Sequence, residues 1–177
     1  MFHAFTPEAR RVMVRAALLA LDCGRNTLDE DMLLLALAES WPVEGFTVTA
    51  SAVRAEIGGA PGDHELLATL GIDLDEVRRR IPVRRDDPAA WRLRRSRVRP
   101  LRVTLTGPAG VLPLTGGARK VVEVAANWRG AGPRVTEKDL LRGLLADGSN
   151  VSVRILRRLG VDLDGLAAHL GFLRVSA

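Results

Sequence analysis

The sequence predicts an all-α fold: a tandem pseudo-two-fold repeat of a four-helix unit, with a small β-hairpin in the segment that joins the copies. Three observations carry this reading. Three sequence blocks occur twice in the same order. Apolar residues recur within the blocks at helical spacing. Capping residues open, and glycines close, the same segments in both halves. Aromatic residues are only 4% of the 177 residues and Tyr is absent, so the core must be built from Leu, Val and Ala.

The first block, Thr6-Pro-Glu-Ala-Arg-Arg-Val12, returns 109 residues later as Thr115-Gly-Gly-Ala-Arg-Lys-Val121. The second, Leu28-Asp-Glu-Asp-Met-Leu-Leu-Leu-Ala-Leu37, returns 107 residues later as Val135-Thr-Glu-Lys-Asp-Leu-Leu-Arg-Gly-Leu144. The third, Leu70-Gly-Ile-Asp-Leu-Asp75, returns 89 residues later as Leu159-Gly-Val-Asp-Leu-Asp164. The falling offset places an insertion in the first copy between Trp41 and Gly62, where Pro42, Gly45, Gly58, Gly59, Pro61 and Gly62 mark loop and Thr49 to Ile57 forms a short helix.

Each block reads as helix. Thr6 is the N-cap of the first, with Pro7 at the position where a missing N–H costs nothing. Val12, Ala16, Leu19 and Ala20 then form an inward stripe, matched in the second copy by Val121, Val124, Ala125 and Trp128 up to Gly130. The second helices start at Asp29 and Thr136, with Leu28 stapled to Leu33 and Val135 to Leu140. Leu33 to Leu37 is apolar nearly all round, so this helix should be central and buried on most sides. The third helices, His64 to Leu70 and Val151 to Leu159, end at Gly71 and Gly160. The fourth start at Asp73, with Glu76 completing a capping box, and at Asp162, where Gly165 replaces that glutamate.

The connector is different in character. Asp86-Asp-Pro-Ala reads as a turn, and Trp91 to Arg99 is too rich in arginine to be core. Leu101 to Thr106 alternates, and Gly107-Pro-Ala-Gly110 leads to Val111-Leu-Pro-Leu114, a hairpin in which Pro113 suits only an edge. Eight arginines between Arg84 and Arg102 face only Asp86 and Asp87, a local charge of +6 against +5 for the chain. The rest is therefore near neutral, and the basicity is one segment.

The bulk numbers and motifs exclude several classes. One cysteine forms no internal disulfide, and three scattered His make no zinc cluster. No secretory leader opens the chain, and the longest apolar run, Met32 to Ala38, is too short to span a bilayer. A cytoplasmic protein without membrane association is the expectation. There is no phosphate-binding loop ending in Gly-Lys-Ser/Thr, and Asp73/Asp75 and Asp162/Asp164 serve as helix starts, so neither an enzyme nor a cofactor is expected. Cys23, at the end of an apolar helix, reads as a small buried hydrophobe.

Met1-Phe2-x-x-Phe5-Thr6-x-x-Ala9-Arg10-Arg11-Val12, the Asp31 and Lys138 regions of the doubled Leu-rich block, and the paired endings Leu70-Gly-Ile-Asp73 and Leu159-Gly-Val-Asp162 resemble the amino-terminal domain of Clp-type AAA+ unfoldases, closest to the ClpC kind. The resemblance covers nearly all of the chain except the 41–62 insertion and the Arg84–Leu112 connector. It implies one domain over 1–177, with repeat one at 1–81, a basic connector at 82–113 and repeat two at 114–172. The ATPase modules that follow such a domain are absent, and a stand-alone version is expected. In the family this domain is not catalytic: it recruits substrates or adaptors to the unfoldase ring, and ClpC-like members recognise phosphoarginine. The glutamate of the family's Thr-Glu-His matches Asp31 in the first copy and Lys138 in the second. An acid can pair with a guanidinium; a lysine can pair only with the phosphate.

The expected function is thus protein or peptide recognition in the Clp system, with an unfoldase, its substrates or adaptors, phosphoarginine-bearing segments or cyclic peptides as partners. The expected site lies in the groove between the copies: Phe2, Phe5, Thr6, Arg10 and Asp31 from the first, Thr115, Arg119 and Lys138 from the second. The alternative is nucleic-acid binding through the connector, with Arg92, Arg94, Arg95 and Arg97 on phosphates and Trp91 stacked on a base.

Overall fold

Thr6, Thr49, Thr115, Thr136, Asn150 and Asp162 each accept a backbone N–H of the turn that follows, and a helix begins at each. The computed structural model describes residues 2–40, 48–58, 85–96, 102–128 and 134–171. Its described residues form seven α-helices and a small sheet: α1 Pro7–Asp22, α2 Glu30–Ser40, α3 Ala50–Ile57, β1 Arg92–Arg95, β2 Val103–Gly107, β3 Gly110–Pro113, α4 Gly116–Asn127, α5 Glu137–Leu145, α6 Val151–Arg158 and α7 Leu163–His169. The structure is mostly helical, as predicted, with more strand than the sequence suggests. The first-copy helices expected at His64 and Asp73 lie outside the described residues.

The two first helices bury corresponding positions. Ala9, Val12, Met13 and Ala16 of α1 are buried, and so are Ala118, Val121, Val122 and Ala125 of α4, each 109 residues on. In the same way Met32, Leu33, Leu34, Ala36 and Leu37 of α2 correspond to the buried Asp139, Leu140, Leu141, Gly143 and Leu144 of α5. Every residue of α2 from Asp31 to Leu37 is buried, because α1, α3, α4, α5 and α6 all pack around it. Trp128 falls outside the α4 stripe expected for it: it is the C-cap, half-buried, with the Arg142 guanidinium 5.5 Å from its ring centre.

Two single parallel bridges cross between the halves. Thr6 N–H donates to Val135 O (2.9 Å) and Val135 N–H to Ala4 O (2.7 Å). Leu28 N–H donates to Pro113 O (2.9 Å) and Thr115 N–H to Leu28 O (3.0 Å). Phe5 and Leu114 precede the first helices, Val135 and Leu28 the second. Each bridge therefore joins the entry to one half's first helix with the entry to the other half's second.

The expected hairpin is present, turning through Pro108 and Ala109, with Pro113 on the edge strand. The unexpected part is β1, which pairs antiparallel with β2 and sets Leu93 opposite Leu105. Leu93, Val103, Leu105 and Leu112 point into the core, while Arg92, Arg94, Val111 and Pro113 point out. Arginine density is no barrier to a strand whose alternate residues face water.

Trp91 corrects a sequence expectation outright. It is 0% exposed, its ring fits against Gly107, where a Cβ would collide with the indole, and Nε1 donates to Arg85 O at 2.7 Å. A side chain so enclosed cannot stack on a base. Cys23 is the reverse case: it is exposed. It caps the end of α1, and Gly24 at φ 68° turns the chain away from the core before an inward position recurs.

Gly143 sets the approach of α5 to α4, since a Cβ there would run into Val121 O. We expect Gly143→Ala to lower stability by about 1–3 kcal/mol through overpacking. Ala36→Gly, at the corresponding place on α2, should cost only about 1 kcal/mol, from backbone freedom. Urea midpoints of the two variants compare them; a Gly143→Ala variant as stable as the parent would refute the close approach.

Candidate functional site

The residues expected in one groove divide between the two crossings. At the first, Phe2 and Phe5 lie with ring centres 5.6 Å apart, both buried. Arg10 closes over them. Its Nε donates to Phe5 O and its Nη2 to His3 O, both at 3.2 Å, and its guanidinium lies 5.8 Å from the Phe2 ring centre. Thr6 caps α1 here, and Lys138 sits in the first turn of α5, the helix whose entry bridges to Phe5. In this arrangement Arg10 holds the chain start down by its backbone, a role that spacing alone does not reveal.

At the second crossing stand Thr115, Arg119 and Asp31, with Glu30, which the sequence reading did not single out. Thr115 Oγ1 caps α4 through Ala118 N (3.3 Å) and lies 3.4 Å from Glu30 Oε2. The Glu30 carboxylate is pressed against Gly117, where any Cβ would collide with it. An acid from α2 thus occupies the start of α4, where unpaired N–H groups and the helix dipole favour negative charge. At the first crossing the position of Gly117 is held by Glu8, which turns to Arg11 at 2.8 Å.

Asp31 is already paired. Its carboxylate is 2.9 Å from Arg25 Nη1 and also accepts Met32 N–H at 2.8 Å. Burial works against the Arg25 charge, but Asp31, and Asp29 after it, more than offset this and raise its pKa. Asp29, expected to cap α2 with its side chain, instead lends that carboxylate to Arg25 at 3.1 Å. The second half handles its buried acid differently. Asp139, 2% exposed, accepts from Thr136 N and Oγ1 in a full capping box and pairs with Arg142 Nη1 at 2.7 Å. Arg142 also donates Nε to Leu170 O at 2.8 Å, fastening the end of α7 to α5.

Arg92 donates to Ala89 O and Trp91 O, Arg95 lies 3.5 Å from Glu123, and Arg94 points outward from the sheet. Arg97 lies outside the described residues. Among the described residues no group of three His, Cys, Asp or Glu side chains could hold a metal ion, and no helix is long and apolar enough to cross a membrane.

No protein-family model matches the chain, and no curated protein sequence does. Among solved structures, the crystal structure of the N-terminal domain of the caseinolytic protease associated chaperone ClpD from Arabidopsis thaliana superposes with a TM-score of 0.60. The match is 18% identical and covers 96% of this chain and 94% of that one. The two chains share a fold.

Two outcomes follow from the geometry. Arg142→Ala leaves a buried carboxylate without its cation and frees the end of α7, and should cost about 3 kcal/mol in urea unfolding; a loss under about 0.5 kcal/mol would mean that Asp139 is satisfied by its cap alone. Glu30→Ala should cost about 0.3–1 kcal/mol and open the start of α4 to anions. Inorganic phosphate at constant ionic strength should then raise the melting temperature of the variant more than that of the parent. Equal shifts would show that the carboxylate does not occupy an anion position.

Proposed function

We propose that this chain is a non-catalytic recognition module of the Clp type, a tandem repeat of one helical unit that binds a protein or peptide in the service of an unfoldase. The observation that carries the reading is the fold shared with the ClpD N-terminal domain over 96% of the chain. The reciprocal bridges support the repeat, because each half offers the other the same two helix entries at the offsets of the sequence blocks. Residues 1–81 and 114–172 are the two units, and 82–113 is the connector between them.

Of the two crossings, the first is the better binding surface. The second has its anion position filled by Glu30 and its acid filled by Arg25, so a phosphoarginine would have to displace both. At the first, Lys138 stands on α5 with no internal acid set against it among the described residues, while Phe2 and Phe5 are buried beneath Arg10. A peptide carrying an acidic or phosphorylated residue fits that lysine.

Calorimetric titration of the purified chain with a Clp-type unfoldase ring, an unfolded protein, a phosphoarginine peptide and a cyclic peptide tests the proposal. At least one should bind, and Lys138→Ala should weaken that binding about tenfold, the loss of one charge-assisted contact. Binding unchanged in Lys138→Ala would move the site away from the first crossing; no binding by any of the four would leave the fold without this function.

A further inference from the structure

Helix α6 turns Val151, Arg154, Arg157 and Arg158 toward an open cavity of about 480 Å³. Arg158 is anchored by Glu56 of α3, Nε to Oε2 at 2.7 Å. Arg154 and Arg157 are exposed and form no ion pair among the described residues, and the Arg157 guanidinium reaches toward Gly148, which has no side chain to cover it. Cations in the last turn of a helix complement its dipole, which accounts for Arg157 and Arg158. It does not account for Arg154, a turn earlier, nor for a cavity beside all three.

We infer that this cavity docks an acidic peptide segment of a protein partner. Two guanidinium groups three residues apart on one helix face match a pair of carboxylates, each able to take two parallel N–H donors. Val151 at the N-terminal end of the row gives an apolar neighbour of those acids something to rest on. Glu56 holds Arg158 in place, which lowers the entropy lost when the cavity fills. Nucleic acid fits less well. The eight residues of α6 span about 12 Å, enough for one or two phosphates, whereas nucleic-acid affinity accumulates over many phosphate contacts. None of the described lining residues is aromatic, so a base finds no stacking partner. The cavity uses no residue of the two crossings, and its partner is independent of the function proposed for them.

The test is fluorescence anisotropy with a labelled octapeptide of Asp and Glu around one central Leu. A peptide with Lys in place of every acid and an eight-nucleotide oligo-dT are the comparators. The acidic peptide should bind at low salt and the Lys peptide should not. Arg154→Gln with Arg157→Gln, which keeps the side-chain stems and the helix, should weaken binding about tenfold or more. Arg92→Gln with Arg94→Gln should leave it unchanged. Failure of the acidic peptide to bind would overturn the inference. So would equal binding by the α6 variant, or tighter binding of oligo-dT that depends on the same two arginines.

Discussion

Each half of this molecule supplies the other with a strand-like residue at the point where a helix begins. Four backbone hydrogen bonds of 2.7 to 3.0 Å, two at each crossing, pin Phe5 to Val135 and Leu28 to Leu114. Backbone donors at helix entries must be paired somewhere, and for Thr6, Leu28, Thr115 and Val135 the partner lies far along the chain. Everything near the crossings is arranged around that exchange. The caps Thr6 and Thr115 follow directly, α2 is driven into the centre where five helices surround it, and β3 must end at Pro113 so that its carbonyl can receive Leu28.

The same constraint brings charge together across the molecule. Because Leu28 lies against Leu114, the first residue of α2 falls on the start of α4, and Gly117 leaves room for the Glu30 carboxylate there. Because Phe5 lies against Val135, the first turn of α5 falls near the start of α1, but Glu8 stands where a glycine would be needed. One crossing is consequently filled from within and the other is not. The divergence between Asp31 and Lys138 extends the difference, since the acid has found Arg25 and the lysine no described counterpart.

The sheet closes a separate side of the core. Its inward row of Leu93, Val103, Leu105 and Leu112 and the enclosed indole of Trp91 make the connector a structural layer rather than a basic arm. Of its described arginines, Arg92 donates to neighbouring carbonyls, Arg95 lies near Glu123 and Arg94 faces outward.

The sequence alone determined what depends on near neighbours. Caps at Thr6, Thr49, Thr115, Thr136 and Asp162, the stops at Gly58 and Gly160, the buried stripes and the Pro108–Ala109 turn are all set by residues within a few positions of one another. That is why the seven described helices and the hairpin were legible. The tertiary structure decided what depends on long-range packing. It buried Trp91 by pairing β1 with β2 and placing it on Gly107. It also separated the expected site residues into two crossings and assigned Glu30 and Arg25 to fill one of them. The crossings behind these outcomes join residues as far apart in sequence as Phe5 and Val135, and no local spacing encodes which side chain will arrive there.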